Sequence, residues 1–118
     1  MTKTTYDSFV SDLRANVGGF EHIYQEHLSD YDQVLPHVLI GDLVRLMSRE
    51  YNLHGADSPM LKQAMDRLEQ GMESSDPRLQ ELIAVSFLEN LDPNAPSFSA
   101  ISSLFGPHLA EEYQRLKR

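Results

Sequence analysis

The stretch Asp76-Pro77-Arg78-Leu79-Gln80-Glu81-Leu82-Ile83-Ala84-Val85-Ser86-Phe87-Leu88-Glu89-Asn90-Leu91 joins a helix-start signal to the widest apolar stripe in the chain. Asp76 offers a side-chain acceptor to the exposed amides of a first turn, and Pro77, which has no N–H to satisfy, suits the first helical position. On a wheel at about 100° per residue, Ile83, Ala84, Val85, Phe87, Leu88 and Leu91 cover roughly 200° of arc. One neighbour cannot hide a stripe that wide. The spacing predicts a central helix around which the others pack.

Working towards the N-terminus, Ser58-Pro59 repeats the cap-plus-proline device, and Met60, Leu61, Ala64, Met65, Leu68 and Met72 follow on one face. The link Glu73-Ser74-Ser75-Asp76 is short enough to predict an antiparallel helical hairpin. A further helix starts near Pro36 and runs to about Asn52, with Leu39, Ile40, Leu43, Val44, Leu46, Met47 and Tyr51 within roughly 160°. Before it, Phe20, Ile23, Tyr24, Leu28 and Tyr31 share a face of a helix over about 20–30, and His27 sits in the middle of that face. Thr4 or Thr5 caps a first helix carrying Tyr6, Phe9, Val10, Leu13 and Val17, which Gly18-Gly19 stops.

Towards the C-terminus, Asp92-Pro93-Asn94-Ala95-Pro96 is a turn, and Ser97 caps a short helix carrying Phe98, Ile101, Leu104 and Phe105. Gly106-Pro107 opens a last helix that turns Leu109, Tyr113 and Leu116 inward. No segment alternates apolar and polar residues as a strand does. The predicted fold is all-α: one domain over 1–118, a compact bundle of six to seven helices built from antiparallel hairpins.

With 118 residues, 41% hydrophobic and 24% charged, the chain can bury a core without staples. It has no cysteine, which excludes disulfides and thiolate chemistry. The start Met1-Thr2-Lys3-Thr4-Thr5-Tyr6-Asp7 has no apolar run of the signal-peptide kind, and Val34–Met47 is too short and too charged to cross a bilayer. The expectation is a cytoplasmic protein with no membrane partner. A net charge of -8 argues against nucleic acid, because phosphate binding needs Lys and Arg.

The five histidines, His22, His27, His37, His54 and His108, form no recognised ligand spacing, so no metal or other cofactor is expected. His27 reads as a core or interface histidine with one satisfied hydrogen bond. Glu89 is the one acid embedded in a strongly apolar helix, and Ser86, Glu89 and Asn90 make a polar stripe there. That stripe reads as the helix's solvent side or as a bond to a neighbouring helix end. The phosphate-cradling glycine loops and the nucleophile elbow are absent, and no catalytic residue is assigned. Arg45 and Arg49 stand one turn apart beside Asp42, and the methionines fall at core spacing.

The charge is unevenly placed. Glu21, Glu26, Asp30, Asp32 and Asp42 lie between Arg14 and Arg45, and Glu81, Glu89, Asp92, Glu111 and Glu112 between Arg78 and Arg115, with no basic residue among either set. Such faces speed association with basic partners. Ile83 to Leu91, followed by Leu104-Phe105-Gly106-Pro107, resembles small helical bacterial proteins of the immunity type found beside polymorphic or contact-dependent toxins. The likeness covers the last third of the chain. It implies a non-enzymatic protein that blocks a toxin domain, a basic one given the acidic surface. The candidate partner-binding residues are Glu21, Glu26, Asp30, Asp32, Asp42 and Glu89. Two alternatives stand beside this reading: a homo-oligomeric helical scaffold or regulatory module, and a small helical metal protein or enzyme using Glu26, His27 or Glu89.

Overall fold

Seven α-helices and one π-helical turn, with no strand, account for the secondary structure of residues 4–117, the part described by the computed structural model. The helices are α1 (Tyr6–Asn16), α2 (Phe20–Tyr31), α3 (Pro36–His54), α4 (Pro59–Glu73), α5 (Pro77–Ile83), α6 (Phe98–Ser103) and α7 (Pro107–Leu116). Four of them begin on a proline, whose missing N–H costs nothing in a first turn. The architecture is the all-α bundle that the stripes predict.

The caps divide into two kinds. Thr5 accepts from the Ser8 N–H while the Ser8 hydroxyl accepts from the Thr5 N–H, closing a reciprocal box at the start of α1. Asp76 accepts from the Arg78 N–H at 3.0 Å and caps α5. The two predicted serine caps are not formed. Ser58 and Ser97 are both buried, and their hydroxyls turn sideways, Ser58 to the Glu50 carboxylate and Ser97 to the Ser48 hydroxyl. The turn between α1 and α2 uses Gly19 at φ +87°, a left-handed conformation glycine adopts without strain.

One core joins all seven helices, α6 contributing the buried Ile101. Phe9, Phe20, Leu43, Leu61, Leu82 and Phe87 are among its fully buried members. Packed at the centre are α3, α4 and the α5 segment, with α1, α2 and α7 against them. The predicted central role of residues 76–91 is thus shared with α3 and α4. Gly71 makes the α4–α5 contact possible, since a β-carbon there would lie 2.5 Å from Ile83 Cδ1.

The predicted helix over 76–91 does not continue as one regular α-helix. After Ile83 it widens into a π turn, Ala84–Leu88, where the Glu89 N–H reaches back to the Ala84 carbonyl at 3.0 Å. Side chains hold the turn open. The Asn90 side-chain amide donates to the Ser86 carbonyl at 2.7 Å, replacing the bond a regular helix would make, and the buried Ser86 hydroxyl meets His37 Nδ1 on α3. Two members of the polar stripe are therefore structural. The wider turn also carries Val85 out of the predicted buried arc, to 43% exposure. Leu116, read as inward-facing, is 36% exposed because α7 runs past the end of the core there.

Candidate functional site

Two concave regions each bring three or more acidic side chains together. The larger is a groove of about 480 Å³ between the α5–π segment and α7. Glu81 and Glu89 stand on one side, Glu111 and Glu112 on the other, and Val85, Ala84, Leu116 and Met72 supply apolar surface between them. The one permanent cation among the described residues of its lining, Arg115, is bonded to Glu112 at 3.0 Å. The π turn builds this floor, because it is what turns Val85 outward while Phe87 and Leu88 stay buried.

One end of the groove is fixed by Glu69 of α4. Its Oε1 accepts from the Leu109 N–H at 3.0 Å and its Oε2 from the His108 N–H at 2.8 Å, with His108 Nδ1 also at 2.8 Å. A carboxylate on the first amides of α7 meets both unsatisfied donors and the positive end of the helix dipole. Burial works to raise the Glu69 pKa, but the Leu109 and His108 amides and the His108 ring outweigh it and hold the carboxyl below its ordinary value. Gly106 gives Glu69 its room, since a β-carbon there would come within 2.4–2.6 Å of the Glu69 side chain. Glu69, Glu73 and His108 each place a possible metal-ligand atom within 4.8 Å of the others. Both Glu69 oxygens already serve the α7 amides, so the cluster is read as a helix cap.

The smaller region is a recess of about 160 Å³ between α2 and α3. It brings together three of the predicted partner-binding acids, Glu26, Asp30 and Asp42, with Arg45 and Arg49 beside them and His27 within. Asp42 pairs with Arg45, and Glu26 with His22 at 2.9 Å. His27 is 1% exposed, as its place on the apolar face requires. Its Nε2 accepts from the Leu35 N–H at 2.8 Å, and Leu35 is the cap residue of α3, which has no side-chain cap of its own. The ring thus closes the α2–α3 connection and is unavailable as a base at Nε2. A backbone donor at Nε2 leaves the ring proton on Nδ1. That N–H faces Asp42 Oδ2 at 3.9 Å and has no hydrogen-bond partner among the described residues.

The remaining predicted residues lie apart from this recess. Glu21 is engaged with Arg14 at 2.7 Å and with Gln25 at 2.7 Å, and both bonds lower its pKa, while its bond to Arg14 raises that of the guanidinium. Asp32 ends α2 in the left-handed conformation at φ 58°, which a short polar side chain tolerates. Glu89 lies in the larger groove. The apolar floor of that groove was not foreseen, since its two exposed residues read as core by periodicity. Its acid walls were foreseen as a charge run. The Glu69–His108 cap joins residues 39 apart, and no local pattern announces it.

No curated protein and no solved structure matches the chain. Residues 10–118 match a family described as a domain of unknown function, DUF7674, and the chain belongs to that family.

Proposed function

We propose that this chain is a non-enzymatic protein-binding protein of the immunity type, which neutralises a basic toxin domain by direct binding. The observation that carries the reading is the groove between the α5–π segment and α7, where four carboxylates surround an exposed apolar floor. Apolar side chains left in water beside a dense single-sign charge are what an interface core with a charged rim consists of. The occupant that fits is a basic amphipathic helix. Its apolar face would cover Val85 and Leu116, and Lys or Arg on its edges would meet Glu81, Glu89, Glu111 and Glu112. The chain's net charge of -8 supports fast, salt-sensitive capture of such a partner.

The test is co-expression with the product of the adjacent gene, followed by growth measurement and titration calorimetry at two salt concentrations. Relief of growth arrest and a complex weakened by salt are expected. A neighbouring product that neither arrests growth nor binds overturns the reading. So does self-association that hides the groove in a stable dimer, detected by light scattering.

A further inference from the structure

We propose that a cleft between α3 and α6 is a ligand site for a monocarboxylate carried on an apolar tail. Among the described residues it shares no lining side chain with the acid-walled groove, and it does not depend on the protein-binding reading.

Helical spacing builds the cationic wall. Arg45, Arg49 and Asn52 recur at i, i+4 and i+7 of α3, which places them on one face of that helix. All three are exposed, and they line a cleft of about 400 Å³ opposite α6 and the segment that follows the π turn. Small-molecule sites occupy on the order of 300–1,000 Å³, so the space suits a small ligand. The two arginines differ in what they already hold. Arg45 is paired with Asp42, whereas Arg49 forms no ion pair among the described residues. In a chain of net charge -8, an unpaired guanidinium in the lining of a cleft runs against the general field.

The rest of the lining narrows the choice. Val44, Leu91 and Ile101 are core residues that form an apolar floor, with Phe98 half-buried beside them. A fitting ligand brings an anionic head for Arg49 and an apolar body for this floor. The parallel N–H donors of a guanidinium match the two oxygens of a carboxylate, and the Asn52 side chain offers an uncharged donor one turn further on. A doubly charged phosphate fits less well, because Asp92 also lines the cleft. Its Oδ1 accepts from the Asn94 N–H at 2.9 Å, and it pairs with neither arginine. One negative charge therefore answers the one unpaired cation, while a second meets Asp92 and the net charge of the chain. An ammonium meets two arginines, and an alcohol covers the floor but leaves Arg49 unanswered.

The test uses the full chain, labelled with heavy nitrogen and titrated separately with hexanoate, hexanol, hexylammonium and inorganic phosphate. With hexanoate, saturable resonance shifts are expected at Arg49 Nε–H and at the backbone amides of Asn52 and Phe98. The other three probes should bind about tenfold more weakly, the equivalent of one charge-assisted hydrogen bond. Arg49→Gln should weaken hexanoate by about the same factor. Lys62→Gln removes an equal charge from α4, outside the cleft, and should leave hexanoate binding unchanged. Acetylated alanyl-leucine tells the two sources of such a carboxylate apart: binding tighter than hexanoate assigns the site to a peptide C-terminus, and weaker binding to a free acid. Equal responses to all four probes mean an adventitious additive only, and overturn the proposal. It is overturned equally by equal losses in the two variants, which reduce the effect to the general field, or by the lack of any saturable response. The probe comparison on the unaltered chain decides the matter even if a variant fails to fold.

Discussion

The backbone N–H of Tyr6 donates to Asp76 Oδ2 at 2.7 Å, so α1 begins on the same carboxylate that caps α5. Arg78 adds a second tie, with its guanidinium 4.1 Å from the centre of the Tyr6 ring. Seventy residues of chain are closed by one side chain. The Tyr6 N–H is the main reason that the Asp76 carboxyl lies below its ordinary value. A lowered folded-state pKa means that its stabilisation is complete above the ordinary aspartate value of 3.8 and is lost as pH falls below it. We expect Asp76→Ala to lower the melting temperature at neutral pH and to speed amide exchange at the start of α1. The difference from the unaltered chain should shrink as urea melts are repeated at acid pH, below the ordinary aspartate value.

Gly106→Ala should act through Glu69. The added β-carbon displaces the carboxylate from the α7 amides, and losing such a cap costs about 0.5–2 kcal/mol. Glu69→Gln keeps an acceptor but loses the charge, so it should fall between the two. Because the Glu69 pKa is also lowered, its contribution disappears as pH drops through and below the ordinary glutamate value of 4.5. Chemical denaturation of both variants at neutral and acid pH checks the order.

Phe87 and Val85 are two positions apart and should behave oppositely. Phe87→Ala empties a fully buried site and should destabilise by about 3–5 kcal/mol. Val85→Ser changes an exposed side chain and should stay within about 0.5 kcal/mol. Equal losses in thermal melts would mean that Val85 belongs to the core and that the π turn is absent.

His27→Phe preserves the ring's bulk but strands the Leu35 N–H inside the α2–α3 junction. A loss of about 1–3 kcal/mol is expected, the cost of a buried donor without an acceptor. Hydrogen exchange at Leu35 is the specific reading, since the change should be concentrated there.

Charge reversal separates the acids by position. Glu89→Lys and Glu111→Lys should slow association with a basic partner, and the penalty should fade as salt rises. Reversal at Glu26 or Asp30 should act likewise through the smaller recess. Glu21→Lys should instead loosen the Arg14 pair and leave the association rate nearly unchanged. Stopped-flow mixing at two ionic strengths checks all five.

Helix positions were legible because apolar periodicity, prolines and caps agree with one another along the chain. Pro36, Pro59, Pro77 and Pro107 each mark an observed helix start. His27 was legible as buried, because a polar residue centred on an apolar face has nowhere else to go. The π turn was not legible. A wheel assumes a constant angle per residue, and Asn90 breaks that regularity by its bond to the Ser86 carbonyl, while the Ser86 hydroxyl bonds His37 of a distant helix. Ser58 and Ser97 misled for a related reason: a cap needs its hydroxyl turned to the first amides, and tertiary packing turns these two to Glu50 and Ser48 instead. The acid walls were visible as runs of like charge, whereas their convergence on one groove required the α5–α7 packing that no local signal encodes.

The π turn has a consequence for how such a chain changes over time. It holds one residue more than the α-helical turn it replaces, so its length can be altered by a single codon. Loss of Val85 would let the ladder close regularly and keep Phe87 and Leu88 in the core, while removing the groove's apolar floor. A descendant could thus lose this surface, or gain it again, without rebuilding the bundle beneath it.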